Sequence, residues 1–153
     1  MKRLIAIVSL TALAWPAFAD RHVMPRNASF EEECGSCHLA FPPRMLDANS
    51  WRTMMNGLPK HFGTDASLDD TRRLAIASFL VAHAGGHKIG VTADAGGRPL
   101  LRITETSRFT RKHREVSDAT WKSASVKSPA NCGACHPRAA AGDFEEHGLR
   151  IPK

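Results

Sequence analysis

Two short stretches carry residues able to do chemistry: Cys34-Gly35-Ser36-Cys37-His38 and Cys132-Gly133-Ala134-Cys135-His136. Each is a Cys-x-x-Cys-His run, and together they use all four cysteines of the chain. Two thiols three positions apart on a helical turn reach one edge of a porphyrin, where they add across its two vinyl groups. The histidine that follows lies under the iron and becomes its proximal ligand. Eight of the 153 residues are histidine, so one following both cysteine pairs by accident has odds of about 0.3%. The pattern predicts two covalently attached c-type haems, bound through Cys34, Cys37, Cys132 and Cys135, with His38 and His136 on the irons.

The N-terminus points to export. Met1-Lys2-Arg3 is basic, Leu4 to Leu13 is mostly apolar, and Ala17-Phe18-Ala19 has the small-x-small form of a cleavage site. Residues 1–19 therefore read as a signal peptide cut between Ala19 and Asp20. A membrane anchor fits less well, because the apolar run falls short of about 20 residues and Pro16 interrupts it. Haem attached outside the cytoplasm implies a bacterial periplasm. Removing 19 of the 153 residues leaves 134, enough for two units of roughly 65 residues, each with a marginal core of its own. A haem would supply each unit with a large apolar plate to wrap. Without Lys2 and Arg3 the formal charge drops from +6 to +4, and four haem propionates bring it near zero. No basic stripe with interleaved aromatics is present, so nucleic acid is not an expected partner.

The elements that must position the two runs read as mainly helical. Ser29-Phe30-Glu31-Glu32 has the form of a capping box, opening a helix that presents the first run and that Pro42-Pro43 stops. Arg44 to Leu58 reads as one or two short helices with Trp51, Met54, Met55 and Leu58 on one face. An irregular stretch marked by Gly57, Pro59 and Gly63 carries His61. A second capping box at Ser67 opens the clearest helix, Leu68 to Ala84, on which Ile76, Phe79, Leu80 and His83 share a face. Gly85-Gly86 ends it, and it is expected to pack near the first helix and close the lobe. Residues 87–98 read as a Gly-rich linker between an N-terminal haem domain, 20–86, and a C-terminal one, 99–153. In the latter, Pro99 to Thr104 reads as extended, and Ser107 to Val116 and Asp118 to Ser123 as short helices, the second capped by Ser117. Ser128-Pro129 is expected to begin the helix bearing the second run, which Pro137 ends. Gly142 to Lys153 reads as a polar tail. The fold class is mainly α: two small cytochrome-c-like haem lobes joined by a Gly-rich linker.

The sixth iron position decides the chemistry, since methionine raises the potential, histidine keeps it lower and a vacancy admits a small molecule. For the first haem the candidates are His61, His83, Met54 and Met55. His61, 23 residues after His38, is preferred because a loop ligand just before the closing helix suits a small haem domain. His83 competes from the apolar face of that helix, where a hydrogen-bonded core histidine is the plainer reading. Met54 and Met55 share a helix with Trp51 and read as packing. No methionine follows Met55, so the second haem has His87, His113 and His147 within reach. His113, 23 residues before His136 and beside Phe109, is preferred over a tail histidine at 147. His22 and His87 sit in loose stretches and read as surface residues. Arg108, Arg111, Lys112 and Arg114 around His113 read as a solvated face, or else as partners for haem propionates or for an acidic protein. Glu31, Glu32 and Glu33 suit the first turn of a helix. No Ser/His/Asp set, phosphate loop or acid pair with a case behind it is present.

Several stretches go beyond the haem runs: CGSCHLAFPP at 34–43, HFGTDASLD at 61–69, RITET at 102–106, HREVSDATW at 113–121, SPANCGACH at 128–136 and GDFEEHGLRIP at 142–152. In these the chain resembles the small periplasmic dihaem cytochromes c, from Cys34 to the C-terminus. The resemblance implies two mainly helical haem domains, bis-histidine irons with His61 and His113 as distal ligands, and electron transfer. It also implies redox partners, a small oxygen-binding monohaem cytochrome c and a membrane cytochrome b. His83 and His147 have no role in it.

Three functions are compatible with haem runs of this kind or with their cysteines alone. An electron carrier, not an enzyme, follows if both irons hold two histidines. A haem enzyme or gas sensor follows if one position is open or its histidine leaves on reduction. A zinc or disulfide protein would need different spacing, for 94 residues separate Cys37 from Cys132 where zinc ribbons use about 15–20.

Overall fold

The computed structural model describes residues 25–86 and 89–152. The expected signal peptide and its cleavage site, His22 and His87 lie outside them. Helix α1 (Ala28–Gly35) is capped by Asn27, whose side chain accepts from Phe30 N at 2.9 Å. The cap is therefore two residues earlier than Ser29, which sits inside the helix. Asn27 has an extended backbone and caps as well as serine does, and this start turns Phe30, only 2% exposed, into the core. The helix ends within the first Cys-x-x-Cys-His run, well before Pro42-Pro43. Those prolines do not stop it. They are buried, Pro43 opens the 3-10 turn Pro43–Met45, and its carbonyl accepts from Trp51 Nε1 at 2.7 Å.

Helix α2 (Ala48–Asn56) starts on Asp47, whose carboxylate accepts from Ser50 N at 2.6 Å. As expected, Trp51, Met54, Met55 and Leu58 face inward and are all buried. Helix α3 (Asp70–Ala82) starts later than Leu68, on Asp69. Ser67 lies outside it, its backbone N–H and hydroxyl both donating to Asp65, while the Asp69 carboxylate accepts from Arg72 N at 3.0 Å. Ile76 and Leu80 are sealed in the core, Phe79 meets Phe30 at 5.5 Å between ring centres, and Arg72 pairs with Glu33 of α1. α3 thus closes over α1 and α2. His83 departs from its expected place: it is the exposed residue just past the helix end, not a core histidine. The helix stops at Ala82, and the non-helical backbone of His83, at φ −111°, carries it out of the stripe where Ile76 and Leu80 lie.

Gly85 is required by a close approach. A Cβ there would fall 2.3 Å from the carbonyl oxygen of Arg44 and 2.1 Å from Ile89 Cδ1, while its N–H donates to Leu46 O at 2.8 Å. The described part of the 87–98 stretch is a folded turn. Ile89 is buried, Leu100 N donates to Thr92 O at 2.8 Å, and Asp94 accepts from the backbone of Gly96 and Arg98. Leu101 and Ile103 then pack against the first core, and the chain enters a 3-10 turn, Ile103–Glu105, where an extended run was expected.

Helix α4 (Ser107–Lys112) is capped by the buried Thr106 hydroxyl and is shorter than the expected run to Val116. Helix α5 (Asp118–Lys122) is capped by Ser117, as predicted. The second haem run is not on a helix. Ser128-Pro129 begins only turns, and Cys132–Ala134 is a single 3-10 turn. The Ser128 hydroxyl is taken by Ala130 N, Asn131 Nδ2 donates to Val126 O, and Lys127 is left-handed at φ 67°, so local bonds replace a helical ladder. The tail is tied back by Arg150 N donating to Cys135 O at 2.9 Å. The described residues contain helices and isolated bridges but no strand, and no helix among them is long and apolar enough to cross a membrane.

Candidate haem sites

The elements gather the histidines into two pairs. The ring centres of His38 and His61 are 6.1 Å apart with planes at 21°; those of His113 and His136 are 6.2 Å apart at 70°. Two imidazoles on opposite sides of one metal have ring centres about 6.2 Å apart, each half being a bond of about 2 Å plus about 1.1 Å to the ring centre. Each preferred distal candidate therefore stands at the right distance from the histidine of its own run. His61 is set by the turn after Leu58–Lys60, and His113 by the end of α4.

The proton positions suit metal binding as well. Nδ1 of His38 lies 2.7 Å from Leu39 O, and Nδ1 of His113 lies 2.9 Å from Phe109 O. A carbonyl can only accept, so each Nδ1 carries the proton and each Nε2 keeps its lone pair for a metal. His61 differs, because its buried Nδ1 has no partner among the described residues. Burial pushes the pKa of His61 below the ordinary imidazole value, and the neighbouring His38 adds to it. His136 is lowered in the same way, by burial first and then by His113, with Asp143 opposing. Both shifts run in the direction of the neutral form that coordinates.

Aromatic rings wall both pairs. Phe41 lies 5.2 Å from His38 and Phe62 4.9 Å from His61; Phe109 lies 4.0 Å and Trp121 5.8 Å from His113; Phe144 lies 5.3 Å from His136. Of these, the sequence sets Phe109 beside a candidate ligand and offers Trp121 only as the counterpart of Trp51 in the other lobe. The others had a faint signal, Phe41 and Phe62 being within three residues of a site histidine. A cleft of 440 Å³ opens between the two runs, with His38 and Phe41 on one side and Cys132, His136 and Pro137 on the other. Open space surrounds Gly133, where a Cβ would touch nothing. The residues present fit two planar apolar groups at adjoining sites.

The remaining candidates lie elsewhere. His83 tilts against Phe79 at 5.0 Å. Nε2 of His147 accepts from Arg138 at 2.9 Å. Met54 and Met55 stay in the core. The cysteines are not paired as disulfides, and burial, then Glu33, pushes the Cys34 thiol up to about 11. Burial raises Cys132 too. Neither has the lowered pKa of a thiol activated for redox exchange. In the basic group, Lys112 pairs with Glu146 at 2.7 Å and Arg114 with Glu115 at 3.6 Å. Arg44 reaches from the first core to donate to Gly142 O at 2.8 Å, and burial, then Arg108, lowers its pKa.

The dihaem cytochrome c family matches residues 30–144, three quarters of the chain. The chain belongs to the dihaem cytochrome c family. Its structure is similar to that of the dihaem cytochrome type c of Shewanella baltica OS155, with TM-score 0.71 and 36% identity over 84% of this chain and 94% of that one. It is also similar to two structures of the Rhodobacter sphaeroides dihaem cytochrome c. One has TM-score 0.69 and 40% identity over 80% of this chain and 99% of that one; the other has 0.66 and 41% over 79% and 99%. No curated protein matches the chain. This dihaem cytochrome c accordingly carries two covalently bound haem c groups with iron, and its mainly helical fold is that of the family. The family points to haem-based electron transfer.

Proposed function

We propose that this dihaem cytochrome is an exported electron carrier in which His61 completes the axial pair of His38, and His113 that of His136. The observation that carries the proposal is the two histidine pairs, at 6.1 and 6.2 Å between ring centres. Cys34, Cys37, Cys132 and Cys135 would hold the porphyrins. The haems supply a one-electron iron couple, at low potential with two imidazoles. The protein's part would be to hold one iron between His38 and His61 and the other between His113 and His136, leaving no place for a substrate. The Leu39 and Phe109 carbonyls fix the tautomers of His38 and His113. Phe41, Phe62, Phe109, Trp121 and Phe144 keep water from the imidazoles. The cleft shared by His38 and His136 supports a short internal path for electrons.

The partners are other redox proteins; by the family resemblance these are a small oxygen-binding monohaem cytochrome c and a membrane cytochrome b, and no nucleic acid. The compartment is the periplasm, after cleavage at Ala19/Asp20. One observation favours the competing gas-binding role: His61 has no hydrogen-bond anchor on Nδ1 among the described residues. Absorption spectra of the fully reduced protein, with and without stoichiometric carbon monoxide, separate the two. The carrier shows no prompt change. A fast, complete shift of one haem would replace it with an enzyme or sensor.

A further inference from the structure

His61, Phe62, Gly63 and Thr64 form a tight turn closed by Thr64 N donating to His61 O at 3.0 Å. Both central residues have positive φ, 48° at Phe62 and 96° at Gly63. Such turns favour Gly, Asn or Asp at these places, because a side chain with a Cβ crowds the left-handed backbone. Phenylalanine at the first central position works against the turn, and the rest of the protein leaves the residue 48% exposed. The ring does have two specific contacts. It meets His61 nearly edge-on at 4.9 Å, and the Arg102 guanidinium carbon lies 4.1 Å from its centre.

Arg102 comes from the second half of the chain, its side chain half-exposed and its backbone anchored on either side. Its neighbours Leu101 and Ile103 are packed on the first core, and Glu105 is 3.7 Å from its Nε. A cation over an aromatic face is attracted by the ring quadrupole. The turn places His61 but gives its imidazole no hydrogen bond, unlike that of His113. We infer that Phe62, clamped by Arg102, is the positioning residue for His61, doing by ring contact what the Phe109 carbonyl does for His113. The second half of the chain thereby helps hold the distal ligand of the first haem. The inference rests on the reading of His61 as that ligand.

The test uses the purified two-haem protein, fully reduced, in buffer saturated with carbon monoxide, where slow binding reports the fraction of time the iron is open. Arg102→Gln removes the cation and Phe62→Asn suits the turn better, so the chain stays folded. Losing an exposed cation–π contact should speed binding by about threefold in Arg102→Gln. Arg102→Lys should restore much of the wild-type rate. Phe62→Asn should bind faster while its thermal midpoint holds or rises, which a merely structural ring would not produce. His61→Ala is the reference for an open first haem. If it binds promptly while Phe62→Asn and Arg102→Gln match wild type, the clamp is refuted and the ligand reading stands. If His61→Ala itself stays closed to the gas, both fall.

Discussion

The two histidine pairs differ in one respect that a spectrum can read. Each axial imidazole splits the two iron d orbitals that lie along the haem normal, in a direction set by its ring plane. For two rings sharing that axis the contributions combine as the cosine of the angle between the planes. The cosine is about 0.93 for the 21° pair and about 0.34 for the 70° pair, so the splitting at the first haem should be about 2.7 times that at the second. Low-temperature electron paramagnetic resonance of the oxidised protein should show two low-spin signals. One is rhombic, from nearly parallel rings. The other is strongly anisotropic with a larger maximum g value, from nearly perpendicular rings. The perturbation is removal of one ring at a time. His61→Ala should abolish the rhombic signal and His113→Ala the anisotropic one, each leaving a high-spin iron in its place. Two signals of equal rhombicity would refute the geometric argument. A mutant that removed the opposite signal would refute the pairing, and one that removed neither would refute the assignment of that distal ligand.

Two further outcomes follow from the supporting structure. Thr106→Val should cost about 1–2 kcal/mol in urea unfolding of the holoprotein, because its buried hydroxyl caps the six-residue α4 and donates to Ile103 O at 2.7 Å. It should also loosen His113, read as partial loss of the anisotropic signal, while Thr106→Ser keeps both. At Asp47, burial alone would raise the carboxyl pKa, but hydrogen bonds from Ser50, Thr92 and Asn49 outweigh it and the net value is lowered. A lowered folded value means a stabilising contribution that is complete above the unfolded pKa, about 4, and is lost as pH falls through the folded one. Acid unfolding should therefore lose part of its pH dependence in Asp47→Asn, which still caps α2; an unchanged acid transition would refute the role given to the carboxylate.

Residue types and spacing by themselves determined the cofactor chemistry. Covalent haem attachment needs only two thiols and an imidazole within five residues, so Cys34 to His38 and Cys132 to His136 were legible without a fold. The core side of α2 was legible for a similar reason: Trp51, Met54, Met55 and Leu58 repeat at helical spacing, and that periodicity belongs to the local chain. Capping was only half legible, because Asn27 and Ser29, or Ser67 and Asp69, have nearly equal claims on a helix start. The hydrogen bonds that decide between them involve Phe30 and Asp65. The turns that displace a helix at Ser128 were hidden in the same way, depending on Asn131 reaching back to Val126.

What tertiary structure alone decided is which histidine faces which. His61 and His83 are equally able to coordinate, and His113 and His147 likewise. His83 is turned out by the end of α3 and His147 is engaged by Arg138, while His61 and His113 are brought within about 6.2 Å of partners far away in the chain. The contact of Arg102 with Phe62, across 40 positions of sequence, belongs to the same class. Spacing along a chain encodes chemistry within a turn or two. Approach between distant segments is set by how the helices pack, and no local pattern records it.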